Sequence, residues 1–172
     1  MATIVDDTTV DTLTPAGTSD SSAAQKAWSI VSFIARFGMA AVWLIAGGIK
    51  YGKDMENILS VQSYQLLPDN IAFIIGTWLP TVEIAIGVLL LIGLFLRPAG
   101  VLSAVLQVIF IAGIASAWSR GLQIDCGCFG TGGVDTSVTG VDYGLEILRD
   151  VFFFILSVIT VVRPFKKAAI LP

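Results

Sequence analysis

Four stretches of this chain, residues 28–49, 71–96, 99–118 and 143–162, are each mainly apolar over about 20 residues, the length a helix needs to cross ~30 Å of hydrocarbon. Inside lipid every backbone amide and carbonyl must find its partner within the protein, so such stretches span as helices. Composition agrees. Hydrophobic residues make up 55% of the chain and mean hydropathy is +0.85, whereas apolar residues reach about half at most in soluble domains. The expected fold class is all-α, an integral membrane four-helix bundle. Residues 1–25 have no aromatic residue, no apolar core and four aspartates, Asp6, Asp7, Asp11 and Asp20. They read as a polar, acidic tail and not as a secretory signal. The transmembrane domain is then expected over 26–167, with a short carboxy-terminal tail over 168–172.

Arg97-Pro98 lies between the second and third apolar stretches, where proline disfavours helix in the residue before it and permits a sharp restart. Those two helices are expected to form a tight antiparallel hairpin. Lys26, Arg97, Arg163, Lys166 and Lys167 flank the spans on one side, and Lys50, Lys53 and Arg120 on the other. The side richer in cations is normally cytoplasmic, so both termini are expected inside, in a multi-pass protein of the bacterial cytoplasmic membrane. The segments 51–70 and 119–142 then face outward.

The net charge of −3 is shared between tail and loops and argues for no nucleic-acid partner. The chain has no histidine. It therefore lacks the usual axial ligand of haem, the usual ligand of zinc or copper, and the commonest general base. No metal or other cofactor is expected on this chain by itself, and it does not read as an enzyme on its own.

Ionisable groups inside the spans are costly and are expected to pair within the bundle. Arg36 lies about eight residues into the first span from the inner side, and Glu83 about twelve residues into the second from the outer side. At 1.5 Å per residue the two reach a similar depth, as does Gln107. The three form an expected intramembrane polar cluster. An ion pair of Glu83 with Arg36 is the structural reading; a proton relay or a quinone contact is the functional one. Glu146, Arg149 and Asp150, spaced by three and four, share one helical face. That face points to the bundle interior or to a partner; the structural reading is favoured, and a partner-facing charged surface for another membrane subunit is the alternative.

The only two cysteines, Cys126 and Cys128, lie in Asp-Cys-Gly-Cys-Phe-Gly, residues 125–130. On the outer face they meet an oxidising environment. A disulfide across one intervening residue needs a turn, for which Gly127 supplies the freedom. The small ring would be strained, and strained disulfides are the exchangeable ones. A reversible Cys126–Cys128 disulfide, two thiols or a permanent clip shaping the loop, and a metal site completed by a partner chain all remain open from the residues. The candidate redox pair is Cys126 and Cys128.

The Gly-Gly-Ile-Lys that ends the first span (47–50), the Leu-Pro-Thr-Val-Glu in the second (79–83), Arg97, and the Asp-Cys-Gly-Cys-Phe-Gly before the fourth resemble the MauE/DoxX-like family of bacterial membrane proteins. The resemblance covers roughly residues 28–163, and the cysteine motif is its most specific part. It implies Cys126 and Cys128 as the redox pair and Glu83 with Lys50 as family-pattern polar positions. Members of that family are associated with methylamine dehydrogenase maturation, with a proposed role in disulfide formation, and with thiosulfate oxidation at the quinone pool. Small proteins of this type also look like accessory subunits of cytochrome bcc-oxidase respiratory supercomplexes.

The leading expectation is thus a non-catalytic accessory subunit of a membrane redox assembly, plausibly such a supercomplex, with larger membrane redox or respiratory subunits as partners. The alternative is a membrane thiol–disulfide protein that uses Cys126 and Cys128 in redox maturation on the periplasmic side. A small quinone-linked oxidoreductase subunit is a third reading, although the residues name no quinone pocket.

Overall fold

The computed structural model describes residues 18–127, 132–134 and 137–165, with side chains from residue 24 onward. Five helices follow one another: α1 (Thr18–Lys50), α2 (Asp54–Ser63), α3 (Asp69–Ile92), α4 (Leu96–Ser119) and α5 (Gly140–Val162). Between α4 and α5 the chain forms a small antiparallel ribbon of β1 (Ile124–Asp125) and β2 (Gly133–Val134), pairing Ile124 with Val134. Among the described residues, three helices are long and apolar enough to cross a membrane: α1 from Ala24 onward, α3 and α4. The chain is a helical membrane protein. Helix α5 has 23 residues, but its first half carries Asp142, Glu146, Arg149 and Asp150. The expected tail boundary at residue 25 falls inside α1, and residues 1–17 lie outside the described residues.

Helix α1 packs along α3, and α4 along α5; contacts of α1 with α5 and of α3 with α4 join the two pairs. The α1–α3 seam is close because both helices are bare where they touch. A Cβ on Gly47 would lie 2.7 Å from Ile84 Cγ1 and 2.8 Å from the Pro80 carbonyl. Such small-residue contacts replace the hydrophobic drive that lipid removes. The central core joins Met39, Ala40 and Trp43 of α1 to Ile86 and Leu90 of α3 and Ala99 of α4. A hydrogen-bonded chain crosses it. Trp43 Nε1 donates to Ser103 Oγ at 2.7 Å, Ser103 Oγ lies 2.8 Å from Ser157 Oγ, and Ser157 Oγ donates to the Phe153 carbonyl. Three helices are thereby tied through buried groups that all find partners. Large apolar side chains such as Ile34, Phe73, Trp78, Ile109 and Phe152 point outward, as lipid contact requires.

The α3–α4 turn departs from the expected break at Arg97-Pro98. Helix α3 ends at Gly93, which takes a left-handed φ of 72°, and the amides of Gly93 and Leu94 both return to the Leu89 carbonyl. This is a glycine-terminated helix end. Helix α4 restarts at Leu96 with Pro98 in its first turn, where a missing N–H costs nothing. The hairpin is as expected in kind, and its corner lies a few residues earlier.

The segment 51–70, expected as an outward loop, contains α2. Its Ile58 backbone packs so closely on Gly76 that a Cβ there would lie 2.6 Å from Ile58 Cα. Helix α1 therefore stops short of the start of α3, and α2 fills the space above it. Asn57 Nδ2 donates to the Lys50 carbonyl at 2.9 Å, tying α2 to the end of α1.

Candidate functional site

Two buried polar sites lie in the bundle. The first is the pair Lys50 and Glu83, with Nζ 2.7 Å from Oε1 and both side chains almost wholly buried. Lys50 closes α1 one turn beyond Gly47, where α1 runs against Pro80 and Ile84 of α3, and its side chain reaches Glu83 from there. The second oxygen of Glu83 and the Oε1 of Gln107 are buried with no hydrogen-bond partner among the described residues.

The expected cluster of Arg36, Glu83 and Gln107 is corrected by this arrangement. Arg36 is fully buried, but its Nε donates to the Leu90 carbonyl at 2.8 Å, its Nη2 to the Leu91 carbonyl and its Nη1 to the Phe165 carbonyl. The cause is the early stop of α3. Ending at Gly93, the helix presents its unpaired terminal carbonyls at the level of Arg36, and a cation there completes them. Glu83 lies two turns further along α3, about 10 Å away along the helix axis. Its partner is Lys50, the residue that the family resemblance singled out beside it.

The second site is the cysteine loop. Cys126 is buried just after β1, in an apolar cluster with Ile114 of α4 and Tyr143 of α5. The loop is fixed from several sides. Tyr143 Oη donates to the Leu122 carbonyl at 2.6 Å and accepts from the Ile124 amide at 3.0 Å. Tyr64, just past α2, donates from Oη to the Cys126 carbonyl at 2.9 Å. Arg120 in turn holds the Tyr64 carbonyl through Nη2. Gly127 and Gly132 have φ of 66° and 60°, and a Cβ on Gly127 would meet Ser60 Oγ of α2 at 2.5 Å and the Gly132 Cα at 3.1 Å. Only residues without a side chain close the base of the loop this way. Cys128, the other member of the expected pair, lies outside the described residues, and with it the disulfide.

Around the Cys126 sulfur the structure gathers charge. Arg149 Nη2 donates to Sγ at 3.6 Å, and Arg149 Nε lies 3.1 Å from Asp150 Oδ1. Sγ and one carboxylate oxygen each from Asp125 and Glu146 lie within 4.8 Å of one another. The Glu146 carboxyl lies beside the thiol, and its Oε2 is buried with no partner among the described residues. Asp125 Oδ1 accepts from the Gly127 amide at 3.2 Å, which shapes the turn. A thiol and two carboxylates are a partial ligand set for a divalent cation. The Arg149 guanidinium already bears on the same sulfur, however, and would repel one. The arrangement sets a buried thiol beside a fixed cation and two carboxyl groups.

Glu146, Arg149 and Asp150 do share one face of α5, but that face is turned inward. Asp150 is 1% exposed and Glu146 and Arg149 are half-buried against the loop. A helix spacing fixes which residues align, whereas the direction of the face was set by the loop that folds back onto it. Tyr64, Tyr143 and Ser60 were not picked out from sequence. The available signal was the tyrosines themselves, since a buried phenol needs a polar partner.

A family model described as methylamine utilisation protein MauE matches residues 28–163, a stretch that includes both buried sites. The chain is also 32% identical over 106 residues to the methylamine utilization protein MauE of Paracoccus denitrificans; the aligned part is 61% of this chain. It covers 54% of that relative, so the match spans about half the relative's length. No solved structure matches significantly. These similarities favour the MauE-like alternative over the respiratory accessory subunit. Because the family model matches residues 28–163, most of the chain, including the paired Lys50 and Glu83 and the cysteine loop, this chain belongs to the MauE family of membrane proteins.

Proposed function

We propose that this chain is an accessory membrane protein that exchanges thiol and disulfide states, through Cys126 and Cys128, with an extracytoplasmic client during maturation of a redox enzyme of the kind methylamine utilisation requires. The observation that carries the reading is the environment of Cys126, a buried sulfur held against the Glu146 carboxyl and the Arg149 guanidinium by a loop braced from α2, α4 and α5. A cysteine that merely fills space needs neither charge. The family match supports the reading, and the relative's name supplies the physiological setting.

In this reading α5 is the fourth span and both termini lie on the cytoplasmic side of the bacterial membrane, with the cysteine loop outside. The burial of Lys50 in its ion pair supports the orientation, because it leaves Lys53 and Arg120 as the exposed cations on the outer flank against five on the inner. No cofactor is needed for exchange between sulfurs. The test is quantitative alkylation of the two cysteines in membranes, with and without a mild reductant, beside a Cys126→Ser/Cys128→Ser variant assayed for client maturation. A pair that interconverts and a variant that fails to mature its client are expected. A pair locked in one state, or normal maturation by the double variant, refutes the reading.

A further inference from the structure

We propose that the groove between the start of α1 and the end of α5 binds the phosphate of an anionic phospholipid, held by Arg163 and by the hydroxyls of Ser29 and Ser32. The site lies at the end of the bundle away from the cysteine loop and does not depend on the thiol–disulfide reading. In the orientation given above it opens on the cytoplasmic leaflet.

The groove has a volume of about 310 Å³, with Gln25, Trp28, Ser29 and Ser32 of α1 on one side and residues 163–165 on the other. That is the small end of the range for ligand pockets, enough for a headgroup with the acyl chains left outside. Its walls are fixed. Arg36 Nη1 donates to the Phe165 carbonyl at 2.9 Å, and the Phe165 ring stands edge-on to Phe33 with centroids 5.5 Å apart. The segment after α5 is thereby tied to α1. Arg163 Cζ lies 4.9 Å from the centre of the Trp28 ring. A guanidinium set over an aromatic ring keeps its N–H groups for a second partner, and phosphate oxygens match that planar fork.

Two observations separate this groove from an ordinary interfacial pairing of arginine with tryptophan. Ser32 lines it while only 6% exposed, and its hydroxyl has no hydrogen-bond partner among the described residues. Elsewhere the helical hydroxyls of Thr77, Ser157 and Thr160 return to the carbonyl four residues earlier. A buried hydroxyl left unbonded costs free energy, and a phosphate oxygen in the groove relieves that cost. The second observation is charge. Among the described side chains Arg163 makes no ion pair. The charged groups toward this end, Lys26, Arg36, Arg97 and Arg163, are all cations, whereas Asp54, Glu56, Asp69, Asp125 and Asp142 lie toward the other. Nothing among them receives the ammonium of a zwitterionic headgroup. A lipid is favoured over free phosphate because exposed Trp28, Ile30 and Phe33 border the groove. Acyl chains therefore find apolar surface directly beside the bound headgroup, as in other basic pockets between membrane helices.

Native mass spectrometry of the full-length protein in mild detergent, titrated separately with phosphatidylglycerol, phosphatidylethanolamine and inorganic phosphate, tests the site. Phosphatidylglycerol is expected to bind at least ~10-fold more tightly than phosphatidylethanolamine, the ratio that one charge-assisted contact supplies. Arg163→Gln is expected to weaken it by ~10-fold or more and Ser32→Ala by ~5-fold. Arg163→Lys, which keeps the charge without the fork, falls between wild type and Arg163→Gln. Arg97→Gln removes an exposed cation at the same end but outside the groove, and is expected to cost less than ~2-fold. Equal binding of the two lipids, equal losses in Arg163→Gln and Arg97→Gln, or Ser32→Ala behaving as wild type overturns the inference. Inorganic phosphate that displaces phosphatidylglycerol at equal concentration assigns the groove to a soluble phosphate compound and overturns the lipid. Should Arg163→Gln not fold, Ser32→Ala and the lipid comparison decide by the same criteria.

Discussion

Lys50 and Glu83 show how a single residue's energetics depend on its partner. The pair lies 2.7 Å apart with both side chains almost wholly buried. Removing one member leaves the other uncompensated, whereas replacing both with apolar groups removes the desolvation cost together with the attraction. Glu83→Ala is therefore expected to destabilise the protein by about 3–5 kcal/mol, read as a lower midpoint of thermal unfolding in mild detergent. The double change Lys50→Met/Glu83→Leu is expected to recover most of that loss. A double variant no better than the single one shows that the pair is needed for more than charge balance. Arg36 works differently, as a cap. Arg36→Leu is expected to speed hydrogen exchange at the α3–α4 turn, because three carbonyls lose their donor at once; unchanged exchange there would contradict the capping role.

At the scale of elements, α2 connects the two buried sites. It is tied to the end of α1 through Asn57, lies on α3 at Gly76, and reaches the cysteine loop through Ser60 and Tyr64. Gly76→Val puts side-chain atoms where the Ile58 backbone already lies, and overpacking of this kind costs about 1–3 kcal/mol or displaces the smaller element. The expected displacement is of α2. It should loosen the loop and raise the alkylation rate of Cys126 in a Cys128→Ser background. Gly48→Ala is the matched control, since nothing lies within 4 Å of a Cβ there. It should leave both stability and alkylation as they are. Similar behaviour of the two glycine variants would mean that α2 does not hold the loop.

The whole molecule presents an apolar belt with a structured cap over one end of the bundle, where α2 and the cysteine loop interlock. Placing that cap outside the cell gives a direct test in a Cys126→Ser/Cys128→Ser background. A membrane-impermeant maleimide applied to intact cells is expected to label Met55→Cys, on the exposed side of α2, and to spare Lys26→Cys, near the start of the apolar part of α1. The opposite pattern inverts the proposed orientation. Labelling of both from one side means that α1 does not cross the membrane.

How much of this was legible follows from the range over which each feature is encoded. The helical membrane class and the position of each long helix come from runs of about 20 apolar residues, and these are local properties that any window along the chain reveals. The cysteine motif and the alignment of Glu146, Arg149 and Asp150 were local too, written in a short run of residues and in helical periodicity. Helix α2 was missed because ten residues of mixed polarity resemble a loop until a partner surface is supplied. The partners of buried charges belonged wholly to the tertiary structure. Depth estimates brought Arg36 to Glu83, but Gly93 ended α3 early, the exposed carbonyls claimed Arg36, and close approach at Gly47 delivered Lys50. Charge pairing in a bundle depends on where helices stop and how they are staggered, and that is decided by contacts between residues far apart in the chain.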